Sequence, residues 1–177
     1  MANVNTPEYW NRVWKASGEG RRTVNAYVFA GSVAPSKGTI LDLGCGVCAG
    51  TRLLREYGFN VTGMDFASEA GKAHKDAFLL YDVQEPFPVK AGSFDTVLAI
   101  MVIQCLNKPD AMIKEAHRAL RPGGMFFVAS PGMHRWREDY HFIPTLKELQ
   151  QVVAERFVEG SCITFNYLAW KMVLATK

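Results

Sequence analysis

The stretch Asp42-Leu-Gly-Cys-Gly46 puts a carboxylate two residues ahead of a glycine turn, and Gly50 follows before residues 51–57 take on helical composition. At a junction of strand, glycine turn and helix, backbone N–H groups are open to an approaching ligand. Glycine suits the turn because a Cβ would obstruct both the chain reversal and the ligand. A second acid, Asp65, comes about twenty residues after the glycines, the separation at which a carboxylate meets a bound ribose in sites of this layout. An ionised carboxylate fits that task, since it offers two acceptor oxygens and makes charge-assisted hydrogen bonds.

Two further groups could do chemistry. Cys45 and Cys48 form a Cys-x-x-Cys pair, open to a redox or a metal reading. Zinc would need more ligands at a clear spacing, and Cys105 and Cys162 form no second pair. A pair at a helix start after a strand does fit a thioredoxin-like layout, beside the plainer reading of two structural cysteines. The other group is the loop of residues 130–144, which leaves the carboxyl end of a strand, where ligands of open α/β sheets bind. It holds His134, His141, Arg135, Arg137, Glu138, Asp139, Trp136 and Tyr140. Either histidine could serve as a general base; the alternative is a solvated loop whose charges keep it soluble.

The elements that must position these groups follow from pattern. Ile40, Leu41 and Leu43 read as a strand buried on both faces of a parallel sheet. Thr6 as N-cap and Pro7 at the first helical position start a helix over residues 7–16, with Trp10, Val13 and Trp14 on one face. That face can staple the helix to the core, close over a site as a lid, or do both. After a break at residues 17–20, a second helix is expected over 21–33, with Val24, Val28 and Phe29 apolar. Further strands are expected over 59–65, 77–81, 93–101 and 125–129, with an amphipathic helix over 109–120. Residues 67–75, which include Gly71, leave room for one or two helical turns. Thr145 and Glu148 form a capping box at the head of a last helix running to 157. Segments 161–166 and 170–176 are separated by a tight turn and should pair antiparallel. Strands alternating with helices imply a doubly wound parallel sheet with right-handed crossovers.

Composition narrows the class. A chain of 177 residues suits one domain with a substantial core, and 49% hydrophobic with 21% charged residues is ordinary for a globular protein. No apolar run nears the ~20 residues of a membrane span, and Arg12 and Lys15 interrupt any signal-like start. A cytoplasmic location without a membrane partner is therefore expected. A net charge of +3 with no lysine or arginine tract argues against a nucleic-acid partner.

The acid before the first glycine of Asp-Leu-Gly-Cys-Gly resembles motif I of the class I S-adenosylmethionine (SAM) methyltransferases, of the small-molecule, type 11/25 kind. Gly92-Ser-Phe-Asp-Thr-Val-Leu98 and Leu120-Arg-Pro-Gly-Gly-Met-Phe-Phe-Val128 extend the likeness from about residue 39 to about residue 128. The resemblance implies an α/β fold: a Rossmann-like, seven-stranded, mostly parallel sheet with a C-terminal antiparallel hairpin and helices on both faces. It implies a single methyltransferase domain over 1–177, with 1–34 as a helical lid region, 39–177 as the core, and an end where that fold ends.

SAM is the implied cofactor, S-adenosylhomocysteine the product, and no metal is expected. Gly44, Cys45 and Gly46 would pack their backbone against the methionine portion. Asp42 would orient its ammonium group, directly or through water. Asp65 would bind both ribose hydroxyls and Phe66 would stack on the adenine. Asp82 and the Val83 backbone would read the adenine edge, and the Ile100 main chain would border the methionine moiety. Cysteine is frequent in the family at the position of Cys45, which favours the structural reading of the pair. Trp10, Trp14, Gln104 and Tyr140 would meet the acceptor, with His134 or His141 as base if the acceptor arrives protonated.

Ile100-Met-Val-Ile103 stands where the related nucleic-acid amino-methyltransferases carry Asn/Asp-Pro-Pro-Tyr/Phe, and no Pro-Cys nucleophile is present. A small-molecule acceptor at O, N or S is therefore expected, on a monomer or homodimer. Two other readings remain. A nicotinamide-dependent oxidoreductase would use Asp65 in the same way, but Gly50 falls one residue late for G-x-G-x-x-G. A non-catalytic SAM-binding or regulatory module would fit the short segment after Asp65 and the minimal length.

Overall fold

Ile40, Leu41 and Leu43 are fully buried in the middle of the sheet, as an apolar strand with neighbours on both faces requires. The computed structural model describes residues 5–17, 24–35, 37–73, 77–132, 140–141, 144–157, 162–167 and 170–177. Among them the helices are α1 (Pro7–Ser17), α2 (Val24–Val33), α3 (Ala49–Glu56), α4 (Pro109–Ala119) and α5 (Leu146–Ala154). The strands are β1 (Thr39–Leu43), β2 (Asn60–Asp65), β3 (Phe78–Leu80), β4 (Phe94–Ile100), β5 (Leu120–Pro131), β6 (Cys162–Tyr167) and β7 (Trp170–Thr176).

The seven strands form one sheet in the order β3-β2-β1-β4-β5-β7-β6. The first five are parallel, and β7 pairs antiparallel with both β5 and β6. The expected α/β class, strand count and closing hairpin are all present. The chain passes from β1 outward to β2 and β3, then returns across to β4. β1 and β4 therefore flank a switch point, where open α/β sheets bind ligands.

Strand alternation divides the core into two layers. On one face Leu41, Leu43, Val97, Phe126 and Val128 pack with Met112 and Ile113 of α4 and Leu149 and Val153 of α5. On the other, Ile40, Leu98, Ile100 and Phe127 pack with Ala26, Tyr27 and Ala30 of α2 and Leu54 of α3. Side chains of this size each stabilise by about 1.5–3 kcal/mol when fully buried. Asp42 shares the face of Ile40, so its carboxylate points toward α2 and α3.

Three local expectations change or sharpen. The inward face of α2 is Ala26, Tyr27 and Ala30, while Val28 is 41% exposed. A helix apolar nearly all round gives periodicity no face to select. β5 begins at Leu120 rather than 125, because Leu120 pairs with Phe94 before a register shift brings Met125 opposite Thr96. Among the described residues the segment after Asp65 holds a 3-10 turn, Ala70–Ala73, and the last two residues of the expected 67–75 lie outside them. The capping box at α5 is formed in both directions: Thr145 Oγ1 accepts from Glu148 N–H at 3.2 Å, and Glu148 Oε2 accepts from Thr145 N–H at 2.6 Å.

Candidate active site

The glycine turn leaves the carboxyl end of β1 with left-handed backbone at Gly44 (φ 60°) and Gly46 (φ 54°). A Cβ at Gly44 would overlap Val102, and one at Gly46 would lie 3.0 Å from the Trp14 ring. Both glycines are thus required by conformation and by close packing. The turn ends at Cys48, a non-glycine residue at φ 57° that serves as N-cap of α3 without a side-chain capping bond. Cys45 and Cys48 lie buried with Sγ atoms 3.2 Å apart. Burial, and then the neighbouring Cys48 thiol, push the Cys45 thiol well above its usual range, so it is held as a neutral thiol. Among the described residues no cluster of His, Cys, Asp and Glu could hold a metal ion.

Asp65 ends β2 beside this turn and is 5% exposed. Its Oδ2 accepts from Gly46 N–H at 3.0 Å and its Oδ1 from Ala67 N–H at 2.9 Å. Burial pushes its pKa up to about 6, against the lowering effect of the backbone N–H groups, and Asp82 raises it further. The carboxylate therefore clamps the turn and still faces the cavity described below.

Asp42 is differently placed. It is fully buried, outside the cavity lining, and receives Thr51 Oγ1–H at 2.7 Å and the Tyr27 hydroxyl at 3.0 and 3.1 Å. Burial lifts its pKa to about 7; the hydrogen bonds from Thr51 and Tyr27 oppose that, and the Asp65 charge adds to it. Tyr27, raised by its own burial and then by Asp42, does line the cavity. Any influence of Asp42 on a ligand is thus relayed by Tyr27 and the turn.

A cavity of about 470 Å³ opens over these strand ends, within the usual ~300–1,000 Å³ of small-molecule sites. At one end it is lined by Asp65, Phe66, Asp82 and Val83; in the middle by Gly44, Cys45, Gly46 and Ile100; at the other end by Met101, Val102, Gln104, Cys105, Leu106 and Tyr140. Met101, just past β4, has φ 62°, a strained conformation of the kind that collects at functional sites.

Helix α1 crosses this cavity. Asn5 ties it to the wall: its Nδ2 donates to Cys105 O at 2.7 Å, and its Oδ1 accepts from Trp10 Nε1 at 2.7 Å. Further along, Asn11 Oδ1 accepts from Glu69 N–H at 2.9 Å. Trp10 and Trp14 stack with ring centroids 5.1 Å apart and both line the cavity.

Of the residues named from sequence, the cavity lining therefore brings together Gly44, Cys45, Gly46, Asp65, Phe66, Asp82, Val83, Ile100, Trp10, Trp14, Gln104 and Tyr140. Asp42 stands behind it. His134 lies outside the described residues. His141 is exposed and absent from the lining; Tyr140 takes the inward position, and His141 offers only its backbone N–H, to Gln104 O at 2.8 Å. Sequence reasoning missed Tyr27, Thr51, Asn5 and Asn11. The contacts of Asn5 and Asn11 join segments 100 and 58 residues apart, and those of Tyr27 and Thr51 join different elements, 15 and 9 residues from Asp42.

A family described as "Methyltransferase domain" matches residues 41–128. The malonyl-(acyl-carrier protein) O-methyltransferase of Laribacter hongkongensis is 32% identical over 139 residues, covering 68% of this chain and 42% of that protein. The chain spans about half the length of the curated relatives it matches. A SAM-dependent methyltransferase from Thermotoga maritima superposes with a TM-score of 0.72 at 17% identity, over 95% of this chain and 99% of that one. The Burkholderia thailandensis 1,6-didemethyltoxoflavin N1-methyltransferase, solved with bound 1,6-didemethyltoxoflavin and S-adenosylhomocysteine, superposes at 0.68 with 18% identity, over 98% and 84% of the two chains.

Proposed function

Because the chain belongs to the class I SAM-dependent methyltransferase family, we propose that it transfers a methyl group from SAM to a small-molecule acceptor at an O, N or S atom. The observation that carries this reading is the pairing of the left-handed Gly44–Gly46 turn with the buried Asp65 carboxylate in the lining of one cavity. The residues fit the cofactor. Gly44, Cys45 and Gly46 offer backbone without Cβ obstruction for the methionine portion. Asp65 offers a carboxylate to the ribose hydroxyls, with Phe66, Asp82 and Val83 around the adenine and the Ile100 main chain beside the methionine moiety. When bound, SAM supplies a methyl group on a sulfonium, already an activated leaving group.

The protein's task is then alignment and exclusion of water. Fixing the two reactants in line is worth up to ~7–11 kcal/mol of barrier. Trp10 and Trp14 of α1 serve as a lid, consistent with the bonds of Asn5 and Asn11 that bind α1 across the cavity. Gln104 and Tyr140 meet the acceptor. His134 and His141 remain the residues to test as base, and if both alanine variants keep full turnover no histidine in this loop acts so.

Thermal unfolding with S-adenosylhomocysteine, against NAD at equal concentration, tests the cofactor. At a hundred times its dissociation constant the ligand should add ~2.7 kcal/mol, raising the melting temperature by roughly 5–10 °C. A shift with NAD alone would overturn the reading in favour of a dehydrogenase. Binding without turnover of any acceptor would point to a non-catalytic SAM-binding module.

A further inference from the structure

Gln104 sits on the 3-10 turn Ile103–Cys105, fully buried, and lines the cavity. Its backbone is anchored by His141 N–H at Gln104 O, 2.8 Å, and its Nε2 lies 3.8 Å from Met101 Sδ. Its Oε1 has no hydrogen-bond partner among the described residues. A buried carboxamide oxygen left without a donor is destabilising, and native proteins seldom keep one without cause. Here the oxygen belongs to a cavity-lining residue at the end away from Asp65. Asp65 and Asp82 follow β2 and β3, whereas Gln104 and Tyr140 follow β4 and β5, two to four strand spacings of about 4.8 Å across the sheet.

Resting on the methyltransferase reading, we propose that Gln104 Oε1 recognises the methyl acceptor, and that this acceptor is an uncharged ring bearing an O–H or N–H donor. Three features of the lining select that class. An amide oxygen only accepts, so the ligand must donate. The same cavity is lined by Trp10, Val102, Leu106 and Tyr140, apolar or aromatic surfaces that suit a flat ring, while the polar Asn5 is already bonded to Cys105 O and Trp10 Nε1. No lysine, arginine or histidine is among the described lining residues, so the described part of the lining offers an anionic acceptor no counter-charge.

The experiment uses the S-adenosylhomocysteine-loaded protein and four matched probes: p-cresol, p-toluidine, p-xylene and p-toluate. Binding is followed by NMR titration of the Gln104 side-chain amide and of the tryptophan indole signals. At least one donor-bearing probe should bind about three- to tenfold tighter than p-xylene, the factor one neutral hydrogen bond carries, and p-toluate should be weakest. In Gln104→Leu, or Gln104→Met should leucine not pack, that preference should vanish. The unliganded variant should melt a few degrees higher, because an orphaned acceptor is gone; a merely structural glutamine would lower it. Equal binding of p-xylene, no binding of either donor probe, tightest binding of p-toluate, or a preference that survives the substitution would each overturn the proposal. Failure of S-adenosylhomocysteine to bind at all would be a separate failure, that of the methyltransferase reading.

Discussion

Replacing Asp42 by asparagine should remove a large part of this protein's loss of stability with rising pH. Asp42 is wholly buried, and its pKa rises from an ordinary 3.8 to about 7 in the folded state. The folded chain therefore holds a proton that the unfolded chain has released. The corresponding stabilisation is complete below about pH 4, declines as pH rises, and is gone above about pH 7. Three pKa units at ~1.36 kcal/mol each amount to about 4 kcal/mol, of which about 3 kcal/mol falls between pH 5 and pH 8. Asparagine has the same shape and cannot ionise. Its oxygen can accept from Thr51 Oγ1, and its amide can donate to the Tyr27 oxygen, so the buried network stays paired. Urea unfolding of both chains at pH 5 and pH 8 measures the effect, with equal m-values as the check on two-state behaviour. The native chain should lose about 3 kcal/mol more than the variant over that interval. Asp65, raised to about 6, slopes the same way in both chains; because its charge acts on Asp42, the difference between the chains belongs to the coupled pair. Equal losses would refute the account of Asp42 as a proton-holding buried carboxylate.

Gly44→Ala must adopt φ 60° with its Cβ against Val102, and should cost about 2 kcal/mol together with the S-adenosylhomocysteine melting shift; calorimetry reads both. Thr145→Ala removes one half of the α5 capping box and should lower stability by about 1 kcal/mol at pH 7, with binding of S-adenosylhomocysteine intact. Titration of the native protein with Ellman's reagent should find Cys162 reactive and Cys45, Cys48 and Cys105 protected until denaturant is added; fast labelling of the Cys45–Cys48 pair would reopen its redox reading.

Local order in the chain made a good part of the site legible. Gly44, Gly46 and Asp65 could be named because turn geometry and a β–α–β span tie their chemistry to sequence spacing, and Thr145 with Glu148 because a capping box spans three residues. Asp42 was named for its position in the motif, yet its surroundings were not readable. Tyr27 lies 15 residues away on a helix that is apolar nearly all round, so no periodic signal marked it as the inward residue. The Asn5 amide meets Cys105 O across 100 residues, and the start of β5 at Leu120 depends on its pairing with Phe94. Nothing local encodes any of these.

The sequence by itself determined the alternation of strands and helices, the antiparallel close, the glycine turn and the acids that frame it, because each rests on the conformational limits and spacing of neighbouring residues. The tertiary structure alone decided which groups face the cavity. It put Asp42 behind Tyr27 and Thr51, turned Tyr140 inward and His141 outward, strapped α1 across the opening, and left Gln104 Oε1 without a donor among the described residues. Those outcomes follow from which layers pack together, and packing joins residues whose separation along the chain carries no information about their distance in space.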